Sequence, residues 1–438
     1  SQIRVLKEPV DFYQTILDNI RTAQKRICIA TLYVGNEQHE LANELAEALR
    51  RQPELQIDIL MDYNRGTRGL IQQQNSKASS KALQKSGASS VELLARILSA
   101  TPDAEDRVRV SLYRSPAITS LHRQLVPPRW IEGIGVQHMK GYVFDDNIIL
   151  SGANLNSEYF TTRQDRYMVF EQHSELADYF CGLAKAYSSV SPKVKLNKSK
   201  ESGIEFVEPE NETVAETKRL VDAHTAKWIA TAPKAESLDT VVIPCLQAGP
   251  LNIRQDEETM TKLLQSFDSS ASAGRPRIVL STAYFNVASF LETLILSCRH
   301  ATFDMLTASP EANGFYKARG ISGHIPTAYS LFLKTFMKRI RRSNRDADFT
   351  VSEYKRDGWT FHGKGLWLYA NQCDNGGDTK DEPEMTIIGS SNYGTRSYER
   401  DTEMQAIVIT SNTDLRRQLA TEVKDLMAHS SRATLEEL

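Results

Sequence analysis

At 438 residues the chain exceeds the size at which a single hydrophobic core usually stops growing, so two domains or two fused halves are expected. Hydrophobic residues make up 40% and charged residues 25%, which excludes a disordered chain, and no apolar run reaches the length of a membrane-spanning helix. A net charge of −2, from 53 basic and 55 acidic residues, argues against a nucleic-acid binder that works by neutralising phosphates.

A helical pattern over 11–26 runs into the apolar stretch 27–33, which reads as a buried strand, and a second strand follows over 57–61. Residues 72–105, rich in Ser, Ala, Lys and Gln, predict helical turns without chemistry. The stretch from Leu121 to Trp130 mixes apolar and basic residues, as a segment at a lipid interface does, although ordinary packing would account for it equally. A strand over 166–171 and a helix over 174–189 close the first half. Residues 191–210 read as an exposed connection, and a helix over 212–230 follows. In the later half a helix over 257–267 leads to strands over 278–285 and 302–306. The run Lys338-Arg339-Ile340-Arg341-Arg342 suits either anionic headgroups or a solvated helix face. A strand over 403–410 and a helix over 414–429 close this half as the first is closed. Helix and strand thus alternate twice, which predicts an α/β fold of two repeats, each with a mainly parallel mixed sheet flanked by helices. The expected division is 1–190, a connecting segment 191–240, and 241–438, with the active site between the halves.

The five cysteines (Cys28, Cys181, Cys245, Cys298, Cys373) form no C-x-x-C pair, so neither a zinc site nor a disulfide framework is indicated and a reducing compartment is the simplest reading. The chain begins at Ser1 and not Met, which is compatible with a targeting segment outside it.

The chemistry is carried by a duplicated pattern. The first half holds His138-Met139-Lys140, Asp145, Ser151-Gly152-Ala153-Asn154 and, eleven residues past the Asn, Asp165. The second holds His362-Gly363-Lys364, Tyr369 in the place of the Asp, Gly389-Ser390-Ser391-Asn392 and, again eleven residues on, Glu403. The His-to-Asn distances are 16 and 30, and the excess of 14 matches a polar loop over 371–384 inserted between two strands. A strand would aim His and Lys, two positions apart, at one phosphate. Transfer of a phosphoryl or phosphatidyl group without a metal needs cations against the phosphate charge, a nucleophile and a proton donor for the leaving oxygen. Two His, two Lys and two Asn supply that set. Asp165 and Glu403 are the candidates for holding each imidazole in one tautomer. Arg163, Arg166, Arg396 and Arg400 near the motifs, with Arg65 and Arg68 after the second strand, are candidate phosphate contacts; surface solvation is the alternative for each. His39, His122, His173, His224, His300, His324 and His429 have no paired context and read as structural or exposed.

His-x-Lys-x4-Asp followed by Gly-Ser-x-Asn is the signature of the phospholipase D superfamily, and the duplicated pattern covers most of the chain. Within that superfamily, the runs Gln137 to Lys140, Leu150 to Leu155 and Arg163 to Tyr167 resemble eukaryotic phosphatidylglycerophosphate synthases. So do Gly358 to Tyr369 and Ala308 to Phe315. The resemblance implies two fused phospholipase D-like repeats and transfer of a phosphatidyl group from CDP-diacylglycerol to glycerol 3-phosphate, with release of CMP. His138 would be the nucleophile, through a phosphatidyl-histidine, and His362 the acid and base. It also implies peripheral contact with the matrix face of the mitochondrial inner membrane, a place on the route to cardiolipin, no nucleic-acid partner and no cofactor; a homo-oligomer is compatible with it. No metal requirement is expected. Tyr369 departs from the superfamily pattern, and the Asp it replaces is expected to be structural. A phosphodiesterase or nuclease using water, a sister synthase with another acceptor, and an inactive scaffold are the competing readings; both intact His/Lys pairs weigh against the last.

Overall fold

The computed structural model describes residues 2–69, 89–100, 103–126, 128–197, 203–231, 238–269, 275–370 and 382–436. Two nine-stranded sheets divide the chain between them, and both are mixed.

The first sheet is built from β1 (Gln2–Leu6), β2 (Arg26–Ala30), β3 (Gln56–Asp62), β4 (Val108–Tyr113), β5 (Gly141–Phe144), β6 (Asn147–Ser151), β8 (Tyr167–Glu171), β9 (Lys193–Leu196) and β10 (Ile204–Val207). Between β6 and β8 lies the short β7 (Arg163–Gln164), which pairs outside it. The order is β1-β8-β6-β5-β2-β3-β4-β9-β10. The second sheet uses β11 (Thr240–Ala248), β12 (Ile253–Arg254), β13 (Arg277–Ser281), β14 (Thr302–Ala308), β15 (Phe349–Tyr354), β17 (Gly365–Tyr369), β18 (Met385–Gly389), β19 (Thr402–Thr410) and β20 (Ser430–Arg432), with β16 (Thr360–Phe361) outside it. Its order is β12-β11-β19-β18-β17-β13-β14-β15-β20.

The α/β repeat is present, but the expected dominance of parallel pairing is not. Within the two large sheets, among the described residues, only β2-β3-β4 and β13-β14-β15 run parallel. The motif strands are joined by antiparallel hairpins, β5 to β6 and β17 to β18, because a hairpin needs no crossover helix. The inserted loop sits between β17 and β18, with 371–381 outside the described residues. The helix expected over 11–26 is Pro9–Thr22, and the strands expected over 27–33 and 278–285 end at Ala30 and Ser281, where the chain leaves the ladder at the carboxyl edge of the sheet. Residues 191–210 are not merely an exposed connection: β9 and β10 form a hairpin on the first sheet and bury Val194 and Ile204. Of 72–105, residues 72–88 lie outside the described residues, and Ser90–Leu98 is a helix whose N-cap Ser89 accepts from the Glu92 N–H.

Three apolar layers hold these parts. Helices Pro9–Thr22, His39–Arg51 and Ser90–Leu98 cover the outer face of the first sheet, and Ser289–Ser297 and Ile325–Arg342 that of the second. Between the sheets, one continuous core joins Val143, Met168 and Phe170 to Trp367, Met404 and Val408 through helices Ser174–Ser189 and Thr413–Ala428. Residues of both halves fill it, which fixes one half against the other.

Asp145 lies at the far end of β5 from Lys140 and accepts from the backbone N–H groups of Gln24, Lys25 and Arg26 at 2.8, 2.8 and 3.0 Å, a structural task. In the second half Tyr369 stands at that position, and Arg277 at the start of β13 lies 4.2 Å over its ring. The departure from the repeat therefore replaces one anchor of a strand start by another.

Candidate active site

The His-x-Lys segments do not lie on strands. Each ends one residue short of its sheet strand, β5 or β17, and its backbone bonds instead to the other half. The His138 N–H donates to the Thr402 carbonyl (2.8 Å) and the His362 N–H to the Gln164 carbonyl (2.7 Å). Beside them Gln137 bridges Thr402, and β16 pairs with β7. Buried peptide groups require such partners, and here they come from across the interface.

This crossing sets the side-chain geometry. His138 Nδ1 lies 2.8 Å from Glu403 Oε2, and His362 Nδ1 lies 2.6 Å from Asp165 Oδ2. Each orienting carboxylate thus belongs to the half that does not carry the histidine. With both Nδ1 atoms engaged, the Nε2 atoms remain for chemistry. Lys140 and Lys364 are fully buried, and their ammonium groups donate to the carbonyls of His138 (2.7 Å) and His362 (2.5 Å).

The two half-sites are not copies. Lys364 Nζ also reaches Asp165 at 3.3 Å, whereas Glu403 is held by the Ser390 hydroxyl at 2.5 Å. Ser390 corresponds to Gly152, and a Cβ at Gly152 would stand 2.3 Å from Lys364 Nζ and 2.7 Å from Asp165 Oδ1. The short Asp draws the lysine in and leaves no room for a side chain; the longer Glu leaves space for a serine.

Burial and neighbouring charge then separate the acids. Burial alone would raise Asp165, but Lys364 and His362 bring its carboxyl below the ordinary value. Burial pushes Glu403 up to about 7, only partly offset by Lys140 and Ser390. Burial, opposed by Glu403, lowers Lys140 to about 7. Both histidines fall well below 6.5, first through burial and then through the adjacent lysine.

Asn154 Nδ2 donates to the Tyr159 hydroxyl (3.2 Å), which lies 3.3 Å from His362 Nε2. The Oδ1 atoms of Asn154 and Asn392 are buried without a partner. Tyr284 packs edge-on against His362 with centroids 5.6 Å apart. Tyr159 escaped the sequence reading because the repeat does not echo it: it lies five residues past Asn154, and five past Asn392 is Ser397. Tyr284 does have an echo, since Tyr33 stands three residues past the end of β2 as Tyr284 does past β13, and that signal could have found it.

The six arginines separate. Arg163 lies 4.8 Å over the Tyr159 ring and donates to the Thr360 hydroxyl (3.0 Å), at the His362 side. Arg65, Arg68 and Arg396 converge on Glu132, which accepts from Arg65 (3.2 Å) and Arg68 through its carboxylate and from Arg396 (2.7 Å) through its carbonyl. Arg396 also pairs with Asp401 at 2.9 Å and bears electrostatically on His138. Arg166 is not at the site: fully buried, it pairs with Glu422 at 2.9 Å, donates to Thr386 and Ile387, and stacks 3.7 Å over Trp367. It is a tie between the halves, since desolvating a guanidinium requires such partners. Arg400 is exposed just past helix Thr395–Glu399.

Among the described residues, His138, Asp401 and Glu403 bring possible metal-ligand atoms within 4.8 Å of one another. Arg396 pairs with Asp401, and Lys140 bears on both His138 and Glu403, so positive charge already offsets these acids; the set fits a hydrogen-bonded dyad better than an ion.

Comparison with known proteins agrees with this geometry. Residues 16–182 match the family model described as cardiolipin synthase, phospholipase D-like domain. Over 461 residues the chain is 35% identical to a probable CDP-diacylglycerol–glycerol-3-phosphate 3-phosphatidyltransferase of Dictyostelium discoideum, covering 100% of this chain and 74% of the relative. The mitochondrial enzyme of that name from Homo sapiens is 34% identical, covering 100% and 80%, and the Saccharomyces cerevisiae enzyme 32%, covering 100% and 84%. The crystal structure of Haemophilus influenzae phosphatidylserine synthase superposes with a TM-score of 0.71 at 20% identity, covering 100% of this chain and 89% of that one, which shows a shared fold.

Proposed function

The chain belongs to the CDP-diacylglycerol–glycerol-3-phosphate 3-phosphatidyltransferase family, and from that premise we propose that it transfers a phosphatidyl group from CDP-diacylglycerol to glycerol 3-phosphate and releases CMP. The observation that carries the reading is the crossed pair of dyads, His138–Glu403 and His362–Asp165, beside two buried lysines.

His138 Nε2 attacks the phosphorus next to the diacylglycerol oxygen; the Nε2–P bond forms and the bond to the CMP oxygen breaks. The His362 imidazolium gives its proton to that oxygen. The resulting phosphatidyl-histidine is then attacked by a hydroxyl of glycerol 3-phosphate, whose proton returns to His362, and His138 is released. The unequal half-sites support this assignment. Burial and Lys364 lower His362, but the anionic Asp165 opposes them, so a proton drawn in with the substrate phosphates is better held at His362 than at His138, whose partner Glu403 is raised to about 7. Lys140, Lys364, Asn154 and Asn392 face the phosphate oxygens, and Arg163, Arg65, Arg68 and Arg396 hold the remaining phosphates. The reading extends to peripheral action on a membrane of the mitochondrion, the compartment in the names of several relatives, and to the matrix face of the inner membrane as the sequence resemblance implies. No helix among the described residues is long and apolar enough to cross a membrane.

The test is CMP release from CDP-diacylglycerol with and without glycerol 3-phosphate, for the intact protein, His138→Ala and His362→Ala. Release only with the acceptor, and none in either variant, is expected. Equal release without the acceptor makes the protein a hydrolase, and release only with another alcohol makes it a sister synthase.

A further inference from the structure

Two segments share one composition, the first running through β4 and beyond its carboxyl end, the second following the carboxyl end of β14. Between Asp106 and Glu132 lie 25 residues with five Arg and no acid, and between Glu311 and Asp346 lie 34 residues with eight Lys or Arg and no acid. A chain with 55 acids in 438 residues would place about three and about four acids there. The same segments carry large apolar side chains into solvent. Leu121, Leu125 and Trp130 are 59%, 73% and 55% exposed, and Ile321, Leu331 and Phe332 are 68%, 58% and 47% exposed. Leu121 and Leu125 stand one turn apart on helix Ser120–Leu125, so they share a face. Leu331 and Phe332 lie on the outer side of helix Ile325–Arg342, whose inner side already buries Leu333, Phe336 and Ile340.

Both patches border the mouth of the site. Tyr284, against His362, stacks on Tyr329 at 5.5 Å between centroids, and Tyr329 touches the exposed Phe332 at 6.3 Å. The Tyr329 hydroxyl lies in the field of Arg396, Arg396 donates to the Glu132 carbonyl, and Trp130 is two residues from Glu132. A continuous aromatic path therefore runs from the reacting imidazole to the exposed Phe332.

We propose that these two segments seat the protein on a bilayer containing anionic phospholipid, with the mouth of the site turned to the headgroups. The inference rests on the phosphatidyl-transfer reading for its purpose but not for its test. Arg114 and Arg339 already pair with Glu208 and Glu292. Exposed Leu, Trp and Phe among Lys and Arg, with no acid inside either segment, is still the chemistry of an interfacial surface: the apolar groups enter the acyl boundary and the solvent-facing cations meet lipid phosphates.

Flotation of the full chain with vesicles of phosphatidylcholine and phosphatidylglycerol in equal parts tests it, using Leu121→Ser/Leu125→Ser and Leu331→Ser/Phe332→Ser. Each double variant is expected to lose about tenfold or more in partitioning with an unchanged melting temperature, since the replaced groups are solvent-exposed in the free protein. Wild-type binding is expected to weaken with salt and on phosphatidylcholine alone. CMP release from a short-chain CDP-diacylglycerol kept below its micelle concentration is expected to be equal in wild type and variants. Vesicle binding at the wild-type level in both variants overturns the proposal, as does loss of a self-associated state in lipid-free solution with vesicle binding retained, which would make the surface an interface between copies. A wild type that binds vesicles but transfers nothing from the short-chain substrate counts against the transfer reading and leaves the docking surface standing.

Discussion

His362 Nδ1 lies 2.6 Å from the carboxylate of Asp165, a residue 197 positions earlier in the opposite half of the molecule. The mirror pair, His138 and Glu403, is separated by 265 positions. Neither half therefore contains a complete histidine–carboxylate unit.

Asp165→Asn is expected to keep the fold and lower kcat by about a hundredfold to ten-thousandfold, the range that a positioned acid or base contributes. Lys364 would then lie buried without its anion. Glu403→Gln removes a carboxyl that burial already raises to about 7, and is expected to cost less. Single-turnover rates with CDP-diacylglycerol compare the two; equal losses would remove the distinction between the half-sites.

Gly152→Ser and Ser390→Gly probe the same asymmetry. A side chain at 152 meets Lys364 Nζ and Asp165, so Gly152→Ser is expected to cost about 1–3 kcal/mol in stability and at least about tenfold in kcat. Ser390→Gly deletes one hydrogen bond to Glu403, and its cost is expected to stay near 1 kcal/mol. Urea unfolding and initial rates measure both.

Arg166→Ala and Arg163→Ala are expected to fail in opposite ways. The first strips Glu422 of its buried partner and is expected to destabilise by about 3–5 kcal/mol. The folded fraction should keep its KM for glycerol 3-phosphate. Arg163→Ala should leave the unfolding midpoint nearly unchanged and raise KM or lower kcat about tenfold. A normal midpoint for Arg166→Ala would return that residue to the list of phosphate ligands.

The pH dependence of stability carries the signature of Glu403. Its folded carboxyl titrates near 7 against an ordinary value of 4.5, so the folded state keeps a proton that the unfolded chain has lost between those values. Its contribution is thus fully present below about pH 4.5, declines as the pH rises, and is gone above about 7. Asp62 and Asp256, both raised to about 7 by burial, act in the same direction. Glu403→Gln removes one of these titrations. Between pH 5 and 7.5 the variant is expected to lose less stability than the wild type, by about 2–3 kcal/mol. Parallel curves for the two proteins would show that Glu403 is not the proton holder.

What the sequence determined by itself was the chemical inventory and its duplication. The spacing of His138, Asn154 and Asp165 repeats in His362, Asn392 and Glu403 once the hairpin insertion is allowed for, and a repeated spacing is visible without coordinates because it is local along each copy. The α/β order was legible for the same reason, since buried strands and amphipathic helices are written in short periods. What only the tertiary structure decided was everything that crosses between the halves. The pairing of each histidine with the distant acid, the withdrawal of Arg166 into a tie with Glu422, and the placing of Tyr159 against His362 join residues from opposite halves of the chain. The strand pairing likewise turned out mainly antiparallel, because hairpins and crossovers present the same apolar runs to a reader of sequence. Local periodicity records which face of an element is buried; it carries no record of what that face meets.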